Sequence, residues 1–395
     1  MRATGVTATV AMILCMAAAA RGDFGAPLSG VSSAEHDAFL NGQLAFATAE
    51  TPAEGLGPVF NDVSCVACHM GPGSAVGGNT KRTEIRFGKS VNGVFDPLLA
   101  LGGSLIQSQG IGHEGVLDTR QCASVSFAGE KVPAGANVQA QRRTTPLFGL
   151  GLVDATPDDT FKQLAADQAK KTPATAGIVN VIPRVETRQQ NLVGRFGWKA
   201  QNATLHVFAG DAYLNEMGIT NPTFPNENCP QGDCSRLSCL VAPEPNDDGD
   251  DVDAFNDFMT FLAPPPAGTP PHDSAGEQTF RRSGCADCHT PTLTTGPNAS
   301  AALNGVTFHP YSDFLLHDMG PLGDGITQGD ATGTLMRTAP LWGLRTQATL
   351  LHDGRATTVT DAIEAHAGQA AAARAAFDGL TAVQRAKLLE FLGSL

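Results

Sequence analysis

The spacing of apolar residues along the chain predicts helices and little else. In SAEHDAFLNGQLAFATA (33–49), TVTDAIEAHAGQAAAARAAF (358–377) and TAVQRAKLLEFLGSL (381–395), apolar positions recur at helical spacing. The last two segments open with capping-box-like spacings, Thr358 to Asp361 and Thr381 to Gln384. A further amphipathic helix is predicted in NDDGDDVDAFNDFMTFL, with Phe255, Phe258, Met259 and Phe261/Leu262 on one stripe. No segment alternates polar and apolar residues for long enough to predict a strand. The expected fold class is therefore mostly α, with little β and long irregular loops. Residues 221–240 read as one such loop, and the Pro- and Gly-rich stretch at 262–275 as a linker.

The pattern also repeats. Phe-x4-Cys-x2-Cys-His occurs at Phe60–His69 and again at Phe280–His289, and RTTPLFGL (143–150) is matched by RTAPLWGL (337–344). Each motif comes twice in the same order, so the doubling involves whole domains. The opening MRATGVTATVAMILCMAAAARG has a positive start, a short apolar stretch and an alanine run, which together read as a targeting segment. These boundaries give a signal peptide at 1–22, an N-terminal domain with insertions at 23–265 and a C-terminal domain at 266–395. No other segment is apolar enough to cross a bilayer.

Composition narrows the chemistry. The chain has 395 residues with 6% aromatics, 44 Gly and 25 Pro, a loop-rich makeup that leaves room for a large flat cofactor in the core. A net charge of −13 argues against a nucleic-acid partner and suits a basic protein or a neutral small molecule. Outside the targeting segment and the repeated motif stand Cys122, Cys229, Cys234 and Cys239. In an exported protein they make two disulfides in one of three pairings, with a zinc site as the weaker alternative. The acidic run at 247–253 could hold calcium, but it lacks the full calcium-loop spacing, and a helix start favoured by the dipole is the alternative.

Cys-x-x-Cys-His is the attachment signature of c-type haem. Two thiols on one helical turn can add to the two vinyl groups of one porphyrin edge, and the following His points at the iron. Cys65, Cys68 and His69 thus hold one haem, and Cys285, Cys288 and His289 another. What fills each sixth position decides whether the iron carries electrons or meets a small ligand. His366 lies on the predicted stripe with Val359, Ile363 and Ala370 and is the leading axial candidate, with His317 and Met319 as competitors. Arg143 and Arg337, in the paired Arg-Thr-x-Pro-Leu segments, are candidates for haem propionates, the alternative being structural arginines.

From Phe60 almost to its end the chain resembles the bacterial di-haem oxidoreductases, sometimes called thiol oxidoreductases, which are related to the di-haem cytochrome c peroxidases. The blocks that carry the resemblance are SCVACH, RRTTPLFGLGL, GRFGWKA, NEMGITN, GCADCHTP, YSDFLLHDMGP, RTAPLWGL and LLHDGRA. The resemblance implies two cytochrome-c-like haem domains. It makes Trp198 the electron bridge between the haems and Glu216 the acid/base beside the N-terminal iron. The relatives' axial Met falls at His366 here, which would lower the potential of that centre. Their conditional distal His falls at Ile85, leaving His113 and His206 as weak alternatives for the first iron. Calcium between the domains is a further implied cofactor.

The resulting expectation is a periplasmic oxidoreductase with two covalent haems. It would reduce hydrogen peroxide at the N-terminal haem with electrons relayed by the C-terminal one and supplied by a small cytochrome c or cupredoxin. Two alternatives stand beside it: a six-coordinate electron-transfer cytochrome, and a thiol- or protein-modifying oxidase.

Overall fold

The computed structural model describes residues 24–71, 76–80, 82–184, 189–266 and 274–395. The expected signal peptide and the middle of the linker lie outside the described residues.

The chain is 33% helical and 16% strand, which overturns the expectation of a mostly α fold with little β. The largest sheet is built on the strand Thr83–Val91, which pairs antiparallel with Val94–Asp96, Leu105–Ile106 and Val138–Arg143. A separate hairpin joins Asn180–Arg184 to Gln189–Gly194. The central strand shows no long apolar alternation, for a physical reason. Its apolar face carries only two large residues, Ile85 and Phe87, before Lys89 ends the run. Its other face, with Glu84 and Arg86, is charged yet mostly enclosed, with side chains only 18% and 15% exposed.

The helices largely form where their periodicity placed them. Ser33–Ala47 starts at a capping box in which Ser32 and Glu35 satisfy each other's backbone N–H. It packs on Asp250–Phe261, where Phe258 lies 5.3 Å from Phe39 and 5.0 Å from Phe46 between ring centroids. The acidic run before that second helix caps it, since Asp247 accepts from the backbone of Gly249 and Asp251. Among the described residues no group of three or more His, Cys, Asp or Glu is placed to hold a metal ion. Near the end of the chain, Ser274–Arg282 packs on Ala382–Leu392 through Phe280 and Phe391, 5.6 Å apart. Ala382–Leu392 opens with the Thr381–Gln384 capping box read from the sequence. None of the helices among the described residues is long and apolar enough to cross a membrane.

One expected helix is broken. Residues 358–377 form Val359–Glu364 and Ala371–Asp378, separated by an irregular turn at 365–370 that includes the short 3-10 segment Gly368–Ala370. Gly368 has φ +56°, and a Cβ there would stand 2.2 Å from the Asp318 carbonyl oxygen. The loop from 318 to 320 presses so close that only glycine fits, and the helix cannot run through.

Hydrophobic burial joins the two halves of the sequence. The main core takes Leu28, Phe39, Phe196 and Phe258 from the first half and Leu293, Phe308, Phe314 and Trp342 from the second. A smaller core around Phe280, Tyr311, Phe377 and Phe391 lies beneath the second Cys-x-x-Cys-His motif. The repeated segments meet at Gly149 (φ +70°), where an added Cβ would strike Trp342 at 2.7 Å.

The spare cysteines resolve into Cys122–Cys239 and Cys229–Cys234. The first closes a loop of 117 residues and the second one of 5. Replacing Cys122 and Cys239 together by Ser is expected to cost about 5 kcal/mol, against about 2 kcal/mol for the shorter bridge, by loop-closure entropy. Thermal or denaturant melts of the two double variants check the order.

Candidate functional site

Both Cys-x-x-Cys-His motifs wind into a single turn. Cys65–Cys68 is a one-turn α-helix, and the His69 N–H donates to the Cys65 carbonyl at 2.8 Å. Cys285–Asp287 is a 3-10 turn, with His289 bonded to Cys285 in the same way at 2.9 Å. This places both thiols and the imidazole of each motif on the floor of a cavity. The first cavity, about 400 Å³, holds Cys65, Cys68 and His69. The second, about 250 Å³, holds Cys285, Cys288 and His289. All four thiols are unbridged. Burial raises each of them, Cys68 to about 12 and Cys285 to about 11.

Burial also depresses both imidazoles to about 4, so they are neutral and able to bind a metal. In the second cavity His289 Nδ1 lies 3.0 Å from the Tyr311 carbonyl oxygen and His366 Nδ1 2.7 Å from that of Ala362. Each ring is thus oriented through one nitrogen, leaving Nε2 for a ligand. His366 stands just past the end of Val359–Glu364 rather than on a continuous stripe, yet it lines the cavity close enough to His289 to influence its protonation. Met319 and His317 line the same cavity, but His317 Nε2 meets Asp313 at 3.0 Å and its Nδ1 meets Cys288 Sγ at 3.5 Å. In the first cavity His69 Nδ1 is buried without a hydrogen bond of good geometry. Neither His113 nor His206 lines it, and His206 pairs instead with Asp253 at 3.1 Å.

A wall of residues is common to both cavities. Arg143, Thr145, Gly197, Trp198 and Phe208 line each of them. The Trp198 indole N–H donates to the Arg143 carbonyl at 3.0 Å, and Arg143 N–H donates to the His352 carbonyl at 2.7 Å. Trp198 meets the His352 ring edge-on at 6.3 Å. The Arg143 guanidinium reaches Gln347, while its Nε and Nη1 are buried with no partner and its pKa is pushed down to about 10 by burial. Arg337 is differently occupied. Its Nε donates to Gly197 at 2.7 Å and its Nη1 to Thr338 at 2.9 Å, so it props the Trp198 loop.

Glu216 sits in the last turn of Leu205–Met217, at the side of the first cavity. Asn61 Nδ2 donates to Glu216 Oε2 at 2.7 Å. Burial and then the neighbouring Glu84 push the Glu216 carboxyl well above the usual glutamate range. Glu84 is held below that range despite its burial, by Arg86 and Arg142. Glu84, Arg86 and Asn61 are site residues beyond those expected from the sequence; the alternation in TEIRF, with its charges every second residue, is the signal that marks the first two. Behind them Arg142 joins Asp324 at 2.7 Å, and Asp324 also holds the wholly buried Lys199 at 2.9 Å.

Two thiols, a neutral imidazole and an apolar wall in each cavity fit a haem. The unpartnered Arg143 nitrogens supply a cation for its acidic edge. A family profile described as "Di-haem oxidoreductase, putative peroxidase" matches residues 118–395. The chain belongs to the di-haem oxidoreductase family. The matched range takes in the second Cys-x-x-Cys-His motif, and the first lies before it. No curated protein matches the chain. Among solved structures it is similar to "Kuenenia stuttgartiensis Hydrazine Synthase Pressurized with 20 bar Xenon", at 14% identity and a TM-score of 0.38, over 99% of this chain and 100% of that one. So distant a likeness says nothing about the chemistry of this di-haem oxidoreductase.

The buried charges give a stability prediction. Burial alone would raise the Asp324 carboxyl, yet Arg142 and Lys199 hold it below its ordinary value. Asp324→Asn leaves the wholly buried Lys199 without its counter-charge and Arg142 with only Glu84 at 3.9 Å, and is expected to cost about 3–5 kcal/mol in a denaturant melt.

Proposed function

We propose that this di-haem oxidoreductase is an exported, periplasmic enzyme that reduces hydrogen peroxide. It would carry two covalently attached c-type haems, through Cys65 and Cys68 with His69 and through Cys285 and Cys288 with His289. The observation that carries the reading is the unequal furnishing of two cavities with one wall between them. The second offers two oriented, neutral imidazoles, His289 and His366. The first offers His69 and, on the same cavity lining, a raised carboxyl in contact with a lowered one.

Haem, when bound, supplies one-electron chemistry and, where its sixth position is free, a place for a small ligand. The chain's own residues do the rest. His289 and His366 would both be iron ligands of the second centre and suit it to electron storage. Glu216, held in its acid form by burial and by Glu84, delivers a proton to the departing oxygen of the substrate. Asn61 fixes that carboxyl by its hydrogen bond to Oε2. Trp198, fastened by its indole N–H, spans the wall and is the proposed electron bridge. Arg143, with its unpartnered nitrogens, receives a haem propionate, while Arg337 holds the Trp198 loop in place. The net charge of −13 favours a basic redox protein, a small cytochrome c or a cupredoxin, as donor.

Glu216→Gln is expected to lower kcat/KM for peroxide by about 100- to 10,000-fold, the usual worth of a positioned proton donor, with haem content unchanged. Full activity in that variant would refute the acid assignment. In the wild type, activity should fall as pH rises past the elevated pKa of Glu216, because its acid form is then lost. The ferric spectrum gives an independent check. The wild type should show one high-spin centre that binds cyanide, and His366→Ala should show two. A wild type with both centres low-spin and unable to bind cyanide would be an electron-transfer cytochrome instead.

A further inference from the structure

We propose that Glu84 is a second proton-handling residue of the first cavity, forming with Glu216 a carboxyl pair that holds a single proton. The inference rests on the peroxide-reducing reading and deepens it. Glu84 projects from the strand Thr83–Val91 and Glu216 from the last turn of Leu205–Met217, and the two side chains meet at the cavity surface. Two carboxyls in contact cannot both be ionised at modest cost, so one of them carries the proton. The surroundings decide which. Arg86 grips Glu84 with both arms of its fork, Nε to Oε1 at 2.9 Å and Nη2 to Oε2 at 3.2 Å. Arg142, opposite Glu84 on the neighbouring strand, adds a second positive charge at 3.9 Å. Among the described residues Glu216 has a neutral partner, Asn61, and no cation at hydrogen-bond distance. The charge therefore belongs to Glu84 and the proton to Glu216.

Other charged and titratable groups face this pair. Asp211 lies on the same helix as Glu216, held by Asn202 and Asn215 and itself raised by burial. Cys68 faces Glu216 from the attachment turn, and the Asp62–Arg82 pair stands on the cavity lining. None of these replaces the fork of Arg86 on Glu84.

The pair can take a proton and give one in the same event. Glu84 accepts a proton from one oxygen of the hydroperoxide, and Glu216 gives its proton to the other oxygen as the O–O bond breaks. The charge on the pair is unchanged, and the proton then returns from Glu84 to Glu216 through their contact. Two electrons from the haem centres, refilled by the protein donor, and two solvent protons complete the reduction to two waters.

Infrared difference spectra of the full-length, haem-loaded protein across pH test the pair directly. The wild type should show a protonated-carboxyl band that is lost in Glu216→Gln and titrates above the ordinary glutamate range. In Glu84→Gln the same band should titrate lower, by at least a factor of ten in proton affinity, because the repelling charge is gone. A band unmoved by Glu84→Gln would overturn the proposal. In turnover, Glu84→Gln should lose about a hundredfold in kcat/KM for peroxide and also the acid side of the pH profile, with Glu84→Asp recovering part of both. Wild-type-like turnover and pH profile in Glu84→Gln would equally overturn it. Should Glu84→Gln fail to load haem, Glu84→Ala carries the same test, an unshifted band again overturning the pair. A wild type that shows the shared proton but no peroxide turnover would remove the peroxidase reading and leave the pair standing.

Discussion

The wall between the two cavities is the constraint on which the rest of the molecule depends. It is made by two short segments, around Arg143 and Trp198, that no regular element holds along its whole length. Among the hydrogen bonds that fix it are three: Trp198 indole to Arg143 carbonyl, Arg143 N–H to His352 carbonyl, and Arg337 N–H to Trp198 carbonyl. All three tie residues distant in sequence, and two of them tie the first half of the chain to the second. A cavity on either side is bounded by the same side chains, so neither can change shape alone. The main hydrophobic core likewise draws on both halves, while a smaller one lies beneath the second motif.

Electrostatics then distinguishes the cavities that the wall separates. The second is apolar around its imidazoles, with each Nδ1 close to a backbone carbonyl. The first faces a layered set of charges: Glu216 and Glu84, then Arg86 and Arg142, then Asp324 and Lys199. Each enclosed cation in the set has a carboxylate partner, which is what allows several ionisable groups to be enclosed together at tolerable cost. The arrangement places the two cations nearest Glu84 and the neutral amide of Asn61 beside Glu216, so two chemically identical side chains acquire opposite protonation.

Much of this was legible in the sequence. Cys-x-x-Cys-His spacing is a local property, so the two single-turn motifs that line the cavities could be read directly, and helical periodicity located Ser33–Ala47, Asp250–Phe261 and Ala382–Leu392. The need for two disulfides followed from counting thiols, while the pairing required the fold. The failures have a common origin in tertiary contact. The helix expected over 358–377 is interrupted because another loop presses on Gly368. His366 nonetheless lines the second cavity, since the turn that replaces the helix keeps it beside Ile363 and Ala370. The mostly α expectation failed because the longest strand turns a charged face inward, and charge is normally read as solvent-facing. Arg337, paired with Arg143 by the repeat, has its fork occupied by backbone carbonyls.

That same strand carries a further consequence. Along Thr83–Val91 side chains alternate, so Glu84 and Arg86 point to the cavity while Phe87 is wholly enclosed on the opposite side. Its register is locked over six consecutive partners, from Thr83 opposite Arg143 to Gly88 opposite Val138. Inserting or deleting one residue here would not merely shift the acidic group. It would exchange the two faces, delivering Ile85 and Phe87 to the haem side and two charges to the oily interior. The placement of the Glu84 carboxyl at the cavity is thus bound to the odd–even parity of a single β-ladder, which tolerates no one-residue change in its length.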